Sequence, residues 1–215
     1  MEFTSPSPER ILLGLAEIAN DWRWLAALWH GCFAALVLTL VIGLRPSRRM
    51  IGILLVLPLV SVSILAWTHA NPFNGASFAL AAVALLVTAG RFSREAVEIA
   101  PARVAVPGAL LIGFGWVYPH FLQNASPLDY LYAAPTGLIP CPTLSIVIGF
   151  TLVLGGLGSR SWCLVLAIMG LFYGIFGAVR LGVGIDWILA LGALGMTYVA
   201  ACGFRRRHNA TWLVR

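Results

Sequence analysis

Seven long apolar runs organise the chain, at residues 24–44, 50–68, 74–90, 104–121, 138–158, 161–180 and 184–204. Short polar segments rich in arginine, proline or asparagine separate them. None of the runs alternates apolar and polar positions, so the pattern predicts helices and not the strands of a barrel. A helix needs about 20 apolar residues to cross the hydrocarbon core, and these runs fit that length, the third and fourth least well. In lipid every backbone N–H and C=O must be satisfied within the protein, which leaves helices as the structure for such runs. The expected fold is therefore all-α: a polytopic integral membrane helix bundle of seven transmembrane helices. Pro58 and Pro107 fall inside the second and fourth runs, where each should kink its helix or sit in a first turn.

The flanks differ from the spans. Residues 1–23 form an N-terminal segment with an amphipathic stretch, Ile11 to Ile18. Ser7 followed by Pro8 reads as an N-cap and a first helical position, which predicts a short interfacial helix lying on the membrane. Trp22, Trp24 and Trp29 are expected as aromatic anchors near the first span. The seven-helix domain occupies 24–204, and a basic tail, 205–215, follows. The first twenty residues contain Glu2, Glu9 and Glu17 and lack a basic start with an apolar core, so no cleavable signal peptide is expected.

Charge tests this parse and orients it. All fourteen basic residues are arginines. Eleven fall in one alternating set of connections and the tail: Arg45, Arg48, Arg49, Arg91, Arg94, Arg103, Arg160, Arg205, Arg206, Arg207 and Arg215. The opposite set holds Arg10, Arg23 and Arg180. Cytoplasmic loops carry the positive excess, so the N-terminus is expected outside and the C-terminus in the cytoplasm, in a bacterial inner membrane. The lipid bilayer is then the chain's main partner. The net charge of +6 reflects topology and not nucleic-acid binding. Composition agrees: 60% hydrophobic and 10% charged, with a mean hydropathy of +0.91, against about 45–50% and about 25% for soluble domains. With no lysine there is no amine for a retinal Schiff base, so this is not a retinal-binding rhodopsin.

Candidate chemistry collects on the outer side. It comprises His69 and Asn71 after the second span, Tyr118 and His120 at the end of the fourth, and Cys141 and Thr143 at the start of the fifth. Polar residues at bilayer depth are costly, and a cluster of them is a functional-site hypothesis. The soft Cys141 thiolate beside the His69 and His120 imidazoles would suit a thiophilic metal, although their spacing does not show that they converge. Each also has a bland reading: the histidines as caps of helix carbonyls, and Cys141 as part of a proline turn. His30 reads as a core histidine, and a pair of membrane histidines could also ligate haem. Arg180 and Asp186 are expected as an ion pair. Gly170, Gly174, Ala178 and Gly182 recur every fourth residue on the sixth span, a small-residue face for close helix packing. That packing would lie within the monomer or join a second copy or a membrane partner. Cys32, Cys141, Cys163 and Cys202 form no CxxC pair, and no nucleophile-elbow, phosphate-loop, dinucleotide or HExxH motif occurs.

Four short motifs carry a family resemblance. They are His69-Ala70-Asn71-Pro72, Tyr118-Pro119, the segment from Pro135-Thr136-Gly137 to Pro140-Cys141-Pro142-Thr143, and Leu181-Gly182-Val183-Gly184-Ile185-Asp186-Trp187. In these the chain resembles a bacterial membrane protein family of unknown function (domain of unknown function 6064), over roughly residues 50–195. It departs from that pattern in three places: Ala70 precedes the asparagine, a phenylalanine is missing after Thr136, and Leu144 stands for a second threonine. The resemblance implies a multi-pass bacterial membrane protein and brings no activity with it. Three functions follow as expectations: a transporter of a small solute or metal ion with a periplasm-facing polar site, a non-catalytic subunit binding a partner protein or lipid, or a metal- or haem-binding redox subunit.

Overall fold

A computed structural model describes residues 7–203. The basic tail, 205–215, and its four arginines lie outside the described residues.

The first helix, α1 (Pro8–Asp21), starts where the sequence predicts: the Ser7 hydroxyl oxygen accepts the Arg10 N–H at 3.4 Å, and Pro8 opens the helix. Its apolar face is docked on the bundle. Leu15 and Ile18 are buried against Ala26, Leu65, Leu138 and Ile139, so α1 covers one end of the bundle. Five helical segments are long and apolar enough to cross a membrane. They are α2 (Arg23–Val41), α3 (Arg48–Thr68), α4 (Pro72–Gly90), the Arg160–Arg180 segment, an α-helix that ends in a π turn, and the Gly184–Cys202 segment around the last helix.

Two further apolar helices are shorter than their sequence runs. The 16-residue α5 (Ala102–Val117) stops at Tyr118, because the residue before a proline is pushed out of helical geometry. A single helical turn, α6 (Tyr130–Ala133), follows in the loop. The 14-residue α7 (Pro140–Val153) stops at Gly155–Gly158, where four successive residues including Leu157 take positive φ. The last two helices are α8 (Arg160–Ile175) and α9 (Trp187–Tyr198). Both internal prolines, Pro58 and Pro107, are accommodated inside continuous helices.

Three antiparallel pairs make the bundle. In α3 and α4, Gly52 lies against Ala89 and the Ser63 hydroxyl donates to the Gly75 carbonyl at 2.8 Å. In α5 and α7, a Cβ on Gly108 or Gly149 would come within 2.7 Å of the other's carbonyl oxygen. In α8 and α9, Gly170 faces Ala193, and Gly174 faces the Ala190 backbone. α7 is the core of the assembly, with Pro142 to Leu152 buried throughout. α2 is tied in by His30, which bonds the Trp116 carbonyl at 2.9 Å, and by Phe33 stacked on Phe150. Outward-facing residues such as Leu80, Leu110 and Ile168 are exposed and would contact lipid.

The structure corrects two expectations. Trp29 is not an anchor at the boundary. Its ring lies over Gly137 and its indole N–H donates to Ser61 at 3.3 Å, leaving Trp24 as the exposed ring of the three. The small-residue stripe also divides. Gly170 and Gly174 are covered by α9 of the same chain, whereas Gly182 has open space around it in a left-handed turn.

Candidate solute-binding cavity

The connections sort to two ends. At one end, Val97 N–H bonds the Pro46 carbonyl, Ala100 N–H bonds the Val153 carbonyl, and Arg48 pairs with Glu95 at 3.4 Å. At the other end stand α1, the 69–71 turn, the 118–139 loop and the turn before α9. There a cavity of about 900 Å³ opens, with Ile11, Leu15 and Ile18 of α1 as one wall and Phe73, Phe172 and Phe176 as another.

The polar floor of this cavity begins with the entry to α7. The Thr143 hydroxyl accepts the Gly137 N–H at 2.8 Å and donates to the Ile139 carbonyl at 2.7 Å. The Thr136 hydroxyl donates to the Gly115 carbonyl at 2.6 Å. Gly137 has φ +79° with the Trp29 ring directly over it, a position that admits no side chain. These bonds, with Pro140 and Pro142, fix the partly buried Cys141 in the first turn of α7. Its thiol donates to Asp186 Oδ2 at 3.1 Å. Asp186 stands in a tight turn before α9, 2% exposed, and its other oxygen accepts the Tyr118 hydroxyl at 2.7 Å. Tyr118 is fully buried behind the cavity, packed against Phe114 and Phe121. A Cβ on Gly177 would overlap Asp186 Oδ2, so this glycine makes the space that the carboxyl occupies. Gly177 lies in the π turn at the end of α8, a distortion frequent at functional sites. Beside this group the Tyr173 hydroxyl donates to Asn74 Oδ1 at 3.0 Å, and both residues are buried.

The residues singled out from sequence divide accordingly. His69, Asn71, Cys141 and Asp186 line the cavity. Tyr118 acts from behind it through Asp186, and Thr143 from beneath through Gly137. Asn71 caps α4 by accepting the Asn74 N–H at 3.1 Å. His69 ends α3, its Nδ1 within 2.9 Å of the Leu65 carbonyl. His120 lies on the loop beyond, edge-on to Phe121, where burial holds its imidazole below the usual histidine range. Arg180 and Asp186 do not pair: Arg180 is exposed, while Asp186 turns inward to a hydroxyl and a thiol. Among the described residues no three His, Cys, Asp or Glu side chains are placed to hold a metal ion together.

Asn74, Tyr173 and Gly177 were not identifiable from the sequence as site residues. The legible signal was Asp186 itself, an acid inside a long apolar run. Comparison with family models, curated proteins and solved structures finds no match to this chain.

Proposed function

We propose that this chain is a multi-pass bacterial inner-membrane protein that binds and carries a small organic solute through the cavity between α1 and α7. One observation carries the reading: a cavity of about 900 Å³ whose floor places four buried or partly buried polar side chains, Asn74, Cys141, Tyr173 and Asp186, inside an otherwise apolar bundle. Ligand sites typically span about 300–1,000 Å³, mostly apolar with a few converging polar groups. An organic solute suits this lining better than a metal ion, since the Cys141 thiol is engaged as a donor and His69 is bonded to its own helix.

In this reading α2, α3, α4, α5, α7, α8 and α9 all cross the bilayer. The short α7 is enclosed by protein, so the non-helical backbone at its two ends is sheltered from lipid. The N-terminus lies outside. The support is the gathering of Arg45, Arg48, Arg49, Arg91, Arg94, Arg103 and Arg160 in the connections at the end away from α1. The four motifs of the family resemblance all contribute to the walls or supports of the cavity, and the membership they suggest is part of the same proposal.

The test is uptake into lipid vesicles containing the full chain, with a panel of radiolabelled amino acids, amines, organic acids and sugars. At least one solute accumulates with the native protein. Cys141→Phe, which fills the cavity beside Asp186, loses that uptake while eluting as the same monodisperse species. If no solute moves faster than in protein-free vesicles, the carrier reading fails.

A further inference from the structure

We propose that the solute is an organic cation, with Asp186 as its counter-ion and the phenylalanine wall as the seat of its apolar part. This rests on the reading of the cavity as a solute site.

The carboxyl is 2% exposed, in a membrane bundle, and among the described residues no basic side chain forms an ion pair with it. Its hydrogen bonds come from two neutral donors, Tyr118 and Cys141. A carboxylate offers about four lone-pair directions, so two neutral donors leave capacity for a further donor from the cavity side. A buried carboxylate without a cation bears much of its desolvation cost uncompensated, and an arriving cation offsets that cost. A neutral or anionic ligand would not.

The rest of the cavity selects the kind of cation. Phe172 stacks on Phe176 with ring centroids 5.8 Å apart and is tilted against Phe73 at 5.7 Å. These rings line the same cavity as the carboxyl. Aromatic faces attract cations, and ammonium groups carrying apolar substituents gain from both effects. A bare metal ion would find too few ligands, as among the described residues no three candidate side chains converge. The other charged or titratable groups on the cavity are Arg10 and Glu17 of α1, His69 of α3 and Tyr173 of α8, whose hydroxyl is taken up by Asn74. None of them forms an ion pair or hydrogen bond with Asp186. Gly177 completes the selection, since any side chain there would displace the carboxyl from the cavity edge.

The experiment is calorimetric binding of three matched probes to the full chain in mild detergent: 2-phenylethylamine, 2-phenylethanol and 3-phenylpropionate at neutral pH. The amine is expected to bind on the order of tenfold more tightly than the alcohol, a charge-assisted hydrogen bond being roughly twice as strong as a neutral one, and the acid more weakly still. In Asp186→Asn the amine falls to the affinity of the alcohol. Tyr118→Phe, which keeps the charge, retains the preference for the amine. The native ranking decides the matter even if Asp186→Asn does not fold. Alcohol or acid binding as tightly as the amine overturns the cation assignment and leaves the cavity reading standing. Amine preference that persists in folded Asp186→Asn overturns the role of Asp186. If none of the three binds at millimolar concentration, the cation assignment is overturned, and the uptake panel then decides whether the solute site goes with it.

Discussion

Replacing Gly174 by alanine tests the close approach of α8 and α9, and the structure sets its magnitude. A Cβ at Gly174 would stand 2.7 Å from the Ala190 nitrogen and 3.0 Å from both its Cα and its Cβ. Carbon atoms in favourable contact sit about 3.5–4.0 Å apart, so the two helices must separate by a good fraction of an ångström. The obstructing atoms are mostly backbone, which cannot rotate aside as a flexible side chain would. Overpacking of this kind costs about 1–3 kcal/mol. Against it stands the helix preference of alanine over glycine, about 1 kcal/mol. Gly113→Ala supplies the control. It lies in α5 with nothing within 4 Å of its would-be Cβ, and so receives the propensity gain without the clash. The propensity contribution cancels between the two variants, leaving a difference of about 1–3 kcal/mol that reports the clash alone. At about 2–4 °C per kcal/mol for a chain of this size, the Tm values should differ by on the order of 2–12 °C, with Gly113→Ala the higher. The assay is thermal unfolding in detergent, followed by circular dichroism, with molecular mass checked by light scattering. Equal Tm values for the two variants would refute the helix contact. A change of mass in Gly174→Ala with an unchanged Tm would instead place Gly174 between copies.

Three further outcomes can be checked. Tyr118→Phe removes one of the two donors to Asp186 and should cost about 1–3 kcal/mol, read as a lower unfolding midpoint. Asn20→Ala should loosen α1, because this side chain donates to the Ala16 and Phe121 carbonyls and accepts from Gln123 N–H and Arg23. Faster hydrogen exchange confined to residues 8–21 and the 121–123 loop is the expected result. Acidification should release the loop at Asp129, whose carboxyl is held below its ordinary value by bonds from the Tyr132 hydroxyl and the Ser126 N–H. A depressed carboxyl contributes stability above its unfolded value of 3.8 and loses it as pH falls through the lower folded value. Exchange at Ser126 should therefore quicken only in that acidic window, and the pH dependence should vanish in Asp129→Asn.

The apolar runs revealed the helices because lipid enforces them, and the predicted starts of α1, α3 and α4 lie within two residues of those observed. The ends of α5 and α7 were overextended for local reasons. Val117-Tyr118-Pro119 and Leu154-Gly155-Gly156-Leu157-Gly158 stay apolar after the backbone has left the helix, and hydropathy does not register φ. Charge alternation placed His69, Tyr118 and Cys141 on one side of the bundle without showing which of them meet. The error at Asp186 is instructive. Arg180 is six residues away in sequence, and proximity suggested a pair. Gly182, with φ +73°, turns the chain so that the arginine faces outward and the carboxyl inward. Its true partners, Tyr118 and Cys141, are 68 and 45 residues distant, and no local pattern encodes those contacts.

How the bundle tolerates this carboxyl with no ion-pair partner among the described residues follows from where it stands. Asp186 immediately precedes α9, and Cys141, which donates to it, lies in the first turn of α7. The carboxyl therefore lies beside the N-termini of two helices, whose free N–H groups and aligned dipoles each carry roughly half a positive charge. This field is fixed in place by the two prolines and the Thr143 bonds at α7, and it offsets part of the desolvation cost that Arg180 would otherwise have been needed to meet. A positive side chain held permanently at that position would neutralise the carboxyl. Helix ends and neutral donors stabilise it and leave its remaining lone pairs open toward the cavity. The same field acts on an anionic ligand only where the carboxyl has not already taken it up. The floor of the cavity thus presents a carboxyl oxygen with acceptor capacity to whatever enters, and Arg10, Glu17 and His69 line the cavity without bonding to it.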